Sequence, residues 1–283
     1  MDILNILFII SLLLFTTNEE GDAYTKKWRN YPACQIGRLQ SPIEIKEYES
    51  IYANNFSFVY QSYSNGSTSL DNQNNYALRS DVSNGGYINF ERGGVIKQYQ
   101  FIRAELYSGI HKIDGLLSKY ELHLIHKKNL DFITNKNQYR SIQDANNYLV
   151  IVLRYINCSE INKICTSDNG LLKKIFPEGG VSNTNNINLK NYNIFQDKRA
   201  FFYEGSFLHI PCDENVNYYV VKDFFFLEGE IKEVDKLNIS INFAERFGRP
   251  VYKNFMNYRE VLGNDYISFK IIFISFLLMI ILL

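Results

Sequence analysis

The sequence predicts a mainly β protein: a single domain on a mostly antiparallel sheet, with a few short peripheral helices. Three observations carry this. Alternating or apolar runs of strand length recur at Phe56–Tyr60, Tyr87–Phe90, Val95–Ala104, Tyr120–His126, Tyr148–Tyr155, Tyr218–Leu227 and Leu237–Phe243, as expected of half-buried strands. Long stretches of helical period are scarce, and the best candidates, Ser141–Asn147 and Gly170–Phe176, are short. At 283 residues the chain is long enough for one large domain with a proper core.

From the N-terminus, Ile3–Phe15 is an apolar run, followed by small residues at Gly21 and Ala23. It is shorter than the ~20 residues of a spanning helix and reads as a secretory signal cut after Ala23. Residues 24–262 form the expected domain and 263–283 a C-terminal signal. There, small and polar Gly263-Asn264-Asp265 precede a short spacer and the apolar run Ile271–Leu283. That is the pattern of a GPI-attachment signal, with Asn264 as the attachment point and Gly263 as its neighbour candidate. The rival is a tail-anchored spanning helix, which would bury Lys270 at a cost.

Sequons at Asn55, Asn65, Asn157 and Asn238 are available for glycosylation in a secreted chain. The loops Ser62–Asn75 and Val181–Asn193 are Asn-rich, which reads as compositional bias. Net charge is zero, so no global electrostatic case exists for nucleic acid. Four cysteines suit an oxidising compartment, and no C-x-x-C spacing suggests a zinc site. Gly93-Gly94 and Gly179-Gly180 are turn signals without a following Gly-Lys-Ser/Thr, and no G-x-S-x-G is present. Lys127-Lys128 and Lys173-Lys174 read as solvated surface.

The central stretch is Lys119–Lys128, Lys-Tyr-Glu-Leu-His-Leu-Ile-His-Lys-Lys. As a strand it places Glu121, His123 and Ile125 on one face and Leu122, Leu124 and His126 on the other. A Glu two residues before a His on one face can accept the imidazole N–H, fixing the tautomer and leaving the other nitrogen for a metal.

Glu121-Leu-His-Leu-Ile-His126 resembles the Glu-Leu-His-Leu-Val-His strand of the α-carbonic anhydrases. Three further stretches match in order. Gln40-Ser41-Pro42-Ile43-Glu44-Ile45 is similar to Gln-Ser-Pro-Ile/Val-x-Ile. Gly205-Ser206-Phe207-Leu208-His209-Ile210-Pro211-Cys212 is similar to Gly-Ser-Leu-Thr-Thr-Pro-Pro-Cys. Gly248-Arg249-Pro250 is similar to the late Asn-x-Arg-Pro. The matched stretches run from Gln40 to Pro250, and the resemblance covers about Trp28 to Tyr258. The resemblance implies a large twisted central sheet. It also implies a Cys34–Cys212 disulfide. Cys158 and Cys165 remain, close together; a local bridge is expected, the alternative being two buried thiols.

The family's reaction needs three histidines on zinc, two from a His-x-His strand and one from the Glu-Leu-His strand. The resemblance matches Gln100–Leu106 to the His-x-His strand and places Ile102 and Ala104 at its ligand positions. Only His123 then remains of the triad. The chain has four histidines, at 111, 123, 126 and 209, and no His-x-His pair. By the same resemblance Leu208 stands for the Thr that orients the zinc-bound hydroxide, Ile110 for its Glu partner and Gly86 for the proton shuttle. Glu105 is expected to have the wrong strand parity to complete a site with His123 and His209.

The pattern resembles the catalytically inactive carbonic-anhydrase-related proteins. The expectation is a binding or adhesion ectodomain with no cofactor. Its pocket would be lined by Ile102, Ala104, His123, Leu208 and His209. Its partners would be an extracellular carbohydrate or protein, and the membrane through the C-terminal anchor. The alternatives are a zinc-dependent anhydrase with a degenerate site and a structural coat protein.

Overall fold

The computed structural model describes residues 37–54, 56–71, 77–129, 147–157, 166–176, 186–192, 194, 198–209, 212–227, 231, 234 and 249–256. Its strands in chain order are β1 (Glu44–Ile45), β2 (Ile51–Tyr52), β3 (Phe56–Ser62), β4 (Gly66–Asp71), β5 (Leu78–Ser83), β6 (Tyr87–Arg92), β7 (Val95–Ser108), β8 (Lys112–Ile113), β9 (Tyr120–Lys128), β10 (Tyr148–Ile156), β11 (Asn186–Ile187), β12 (Ala200–Gly205), β13 (Val216–Phe226) and β14 (Tyr252–Lys253). One large sheet runs β11-β4-β5-β7-β9-β10-β13-β12-β14-β2, with β6 pairing both β3 and β7. Within it β10–β13 and β14–β2 pair in parallel. The other pairs are antiparallel, so the expected fold class holds. β1 and β8 form a separate parallel pair.

The centre of the sheet is buried on both faces, and its sequence shows why. In β10 the run Leu149–Ile156 is buried throughout, as a strand covered on both sides requires. One face packs Ala104, Leu106, Leu122, Leu124, Leu149 and Ile151 into the larger core. The other packs Ile125, Val150, Val152, Tyr203, Tyr218 and Val220 with Ile43 and Ile45. Strands β4 and β5, whose sequences are largely polar, carry no period-2 apolar signal. They are held by pairing with each other and with β7.

The run Gly170–Phe176 forms one short helix, α1 (Leu171–Ile175). Asp168 accepts from the backbone N–H of Gly170 and Leu172, each at 2.9 Å, and Tyr155 donates to it at 2.8 Å. Residues 141–146 and the strand run Leu237–Phe243 lie outside the described residues.

The matched stretches converge in space. Ser41 N donates to Ser206 Oγ at 3.0 Å and Ser206 N to Ser41 Oγ at 3.2 Å. Arg249 donates to the carbonyls of Glu204 and Gln40. Cys212 is disulfide-bonded, while Cys34, Cys158 and Cys165 lie outside the described residues.

After β7 the chain turns back toward β9 at Gly109, whose N–H donates to Lys119 O at 2.9 Å. A Cβ here would lie 1.8 Å from Ser118 O, a backbone atom that cannot swing away. Gly109→Ala is therefore expected to cost about 1–3 kcal/mol of stability, read as a lowered urea midpoint at unchanged slope. A midpoint equal to that of the unaltered protein would contradict the close approach.

Candidate functional site

Strand β9 delivers Glu121 to the centre of the face that carries Ile125, as its alternation predicts. The carboxylate is fully buried. Oε1 accepts from His111 N at 2.7 Å, Ile110 N at 3.2 Å and Ser118 Oγ at 3.1 Å. Oε2 lies 2.7 Å from His111 Nδ1 and 3.3 Å from His123 Nε2. Burial alone would raise this carboxyl's pKa. The interaction with His111 and the hydrogen bonds from His111 and His123 outweigh it and hold the carboxyl well below its ordinary range.

His111 reaches this centre from the turn after Gly109. Its Nδ1 faces Glu121, and its Nε2 is hydrogen-bonded to the Tyr203 hydroxyl at 2.8 Å. Tyr203 stacks on Tyr218, ring centres 4.9 Å apart. His123 packs against Tyr107 at 4.8 Å between ring centres. Burial pushes the His123 imidazole down, and Glu121 pulls it only partly back.

β7 corrects the expectation for the pocket. Its register against β9 shifts between Phe101 and Arg103, so that Arg103 faces Ile125, Glu105 faces His123 and Tyr107 faces Glu121. A bulge adds a residue and reverses which side chains point to a given face. Ile102 packs beside the Ile125 cluster, but Ala104 lies in the core on the opposite face. Ala104 thus does not line a pocket with His123. Glu105, set aside for wrong parity, is on the His123 side.

Glu105 is 1% exposed. Its Oε2 accepts from the Tyr107 hydroxyl at 2.6 Å. Its Oε1 lies 2.9 Å from Arg103 Nε as an ion pair, in a geometry too bent for a hydrogen bond. His209 Nε2 stands 3.9 Å from the same oxygen, its ring stacked on Phe207. Leu208 packs against Ala77, Tyr107 and Ile110. The structure thus brings His123, Leu208 and His209 around Glu105 and Tyr107. Arg103, Glu105 and Tyr107 were not among the expected site residues. No signal in the sequence marks them, because the bulge that sets their parity is fixed only by pairing with the neighbouring strands.

Other expected positions fall elsewhere. His126 points into the opposite core, with Nε2 2.9 Å from Tyr63 Oη and Nδ1 3.0 Å from Leu124 O. Asn65 is exposed between β3 and β4, and Asn157 is half-buried after β10. Asn55, Asn238 and Asn264 lie outside the described residues.

Could these residues hold the zinc that the family resemblance implies? Among the described residues, His111, Glu121 and His123 are the His/Cys/Asp/Glu group whose ligand atoms all lie within 4.8 Å of one another. Both ring nitrogens of His111 and both oxygens of Glu121 are already engaged inside the protein. Tetrahedral zinc needs its ligand lone pairs free at about 2.0–2.3 Å. The group does not fit. On the same face, the permanent positive charge of Arg103 stands beside Glu105, the added carboxylate.

A family profile described as eukaryotic-type carbonic anhydrase matches residues 23–260. Mouse carbonic anhydrase 6 is 24% identical over 276 residues, covering 90% of this chain and 85% of its own. Alpha carbonic anhydrase 8 of Arabidopsis thaliana is 25% identical over 237 residues, covering 81% of this chain and 55% of its own. Among solved structures, dioscorin complexed with ascorbate superposes with a TM-score of 0.59 at 19% identity, over 82% of this chain and 94% of its own. The α-carbonic anhydrase of Thermovibrio ammonificans with sulfanilamide gives 0.56 at 19%, over 79% and 91%. At these identities the superpositions speak to fold alone.

His126 supplies a pH test. Burial lowers its imidazole to about 4, against about 6.5 in an unfolded chain. Between those values the unfolded state binds the extra proton. Stability from this residue is therefore full above about pH 6.5 and falls as pH drops toward 4. Between pH 7 and pH 5 its share of the loss is about 2 kcal/mol. In His126→Gln that share should vanish from the difference in urea-unfolding free energy between the two pH values. An unchanged difference would show that His126 does not titrate in this window.

Proposed function

The chain belongs to the eukaryotic-type carbonic anhydrase family, and we propose that within it this protein is a secreted, surface-anchored binding or adhesion ectodomain without CO2 hydratase activity. The observation that carries this reading is the face of His123. Where the family's chemistry needs two further histidines from the neighbouring strand, β7 turns Arg103 and Glu105. A guanidinium keeps its proton and offers no lone pair to a metal. Without metal-bound hydroxide the fold has no nucleophile for CO2. Gly86 at the shuttle position adds that no side chain there can relay a proton.

Fold does not fix function, and the scaffold that survives serves to present a surface. The N-terminal apolar run with Ala23 and the C-terminal tail after Asn264 support export and lipid anchoring. The ligand in this reading is an extracellular carbohydrate or protein. Exposed Asn65, in a sequon, supports a glycosylated surface.

A second reading has one observation in its favour. Glu105 and His209 stand within 3.9 Å on the His123 side, so a zinc-dependent anhydrase with a displaced ligand set is the alternative. Zinc content of the purified protein, with CO2 hydration measured in the same sample and with zinc added, separates the two. The expected result is no stoichiometric zinc and no hydration above the uncatalysed rate. About one zinc per chain with hydration that a chelator abolishes would replace the first reading by the second.

The anchor is tested on cells expressing the full chain. Phosphatidylinositol-specific phospholipase should release the protein into the soluble fraction, and Asn264→Pro with Gly263→Pro should abolish surface display. Retention in the membrane after phospholipase treatment would favour the spanning tail.

A further inference from the structure

The Glu121 centre is internally saturated; the Glu105 centre is not. Glu105 is a carboxylate 1% exposed, and such a charge is tolerated only if something meets it. Tyr107 satisfies Oε2. Oε1 has Arg103 Nε at 2.9 Å and no hydrogen bond of good geometry. Arg103 and Glu105 lie two residues apart on β7 and so point to one side. Across the register Glu105 is the direct neighbour of His123.

We infer that the Arg103–Glu105 pair is this chain's built-in substitute for a bound cation: the guanidinium supplies a fixed positive charge on the His123 face, and Glu105 neutralises it. The inference rests on the non-hydratase reading and extends it to a cause. A divalent ion entering this face would meet a cation that cannot deprotonate, and would compete with it for Glu105 Oε1. The buried His123 then needs no metal partner. The pair also explains how a face that loses metal ligands avoids being left with one unmatched charge. Exchanging one member alone breaks that balance, whereas exchanging both preserves it.

Two experiments test this. The first measures zinc content and melting temperature of the full chain with and without added zinc. It compares the unaltered protein, Arg103→His/Glu105→His, and Ile102→His/Ala104→His. The 103/105 variant should take up about one zinc per chain and melt higher with zinc, since it presents three imidazoles on one face. The 102/104 variant should not, because Ala104 faces the opposite core. A folded 103/105 variant that stays zinc-free overturns the inference while leaving the non-hydratase reading in place. Stoichiometric zinc in the unaltered protein overturns both.

The second experiment needs no metal and decides the matter if the histidine variants do not fold. Arg103→Gln leaves Glu105 buried without its charged partner and should lower the melting temperature by roughly 5–10 °C. Arg103→Gln/Glu105→Gln should recover at least half of that loss. A single variant as stable as the unaltered protein, or a double variant no better than the single, overturns the pairing.

Discussion

A carboxylate with no access to water must be met by donors on every side, and Glu121 is the group around which the middle of this protein is arranged. Its two oxygens gather two backbone N–H groups, a serine hydroxyl and two imidazoles. Through His111 the network continues to Tyr203 on β12. Strand β9, the turn that follows Gly109 and strand β12 are thereby fixed to one another at a single buried point. The arrangement costs desolvation and returns specificity of position. It also uses up the lone pairs that a metal would require, so the cluster that looks most like a ligand set by proximity is a structural tie.

The second polar centre, around Glu105, arises from one extra residue in β7. The strand must follow β9 on one side and both β5 and β6 on the other, and the register slips between Phe101 and Arg103 as it does so. Beyond the slip, Arg103, Glu105 and Tyr107 turn to the face of His123, while Ala104 and Leu106 join the larger core. Face assignment in a sheet is all or nothing, because side chains alternate with period two. A single bulge therefore exchanges an apolar pocket wall for a charged one.

These two centres separate inheritance from use. The stretches shared with the family meet in space at Ser41, Ser206 and Arg249 and hold the scaffold. The same sheet can thus carry a reaction centre or an internal ion pair, and only the side chains on the face of His123 distinguish the cases.

Much was legible in the sequence. Alternation in Lys119–Lys128 placed Glu121, His123 and Ile125 together, because period two is a local property of any strand. The ordered motifs gave the sheet, and four histidines without a His-x-His pair limited the metal chemistry by composition alone. Other features lay beyond it. Polar β4 and β5 are strands only because neighbours supply their hydrogen bonds. His111 meets Glu121 because a turn, not a strand, brings it there. The faces of Ala104 and Glu105 differ from the sequence expectation because a bulge leaves no mark in composition or periodicity: it is the outcome of β7 pairing with several strands at once. The sequence by itself determined which groups were available and which neighbours in β9 shared a side. Only the tertiary structure decided which residues of the next strand faced them, because register is a property of the pair.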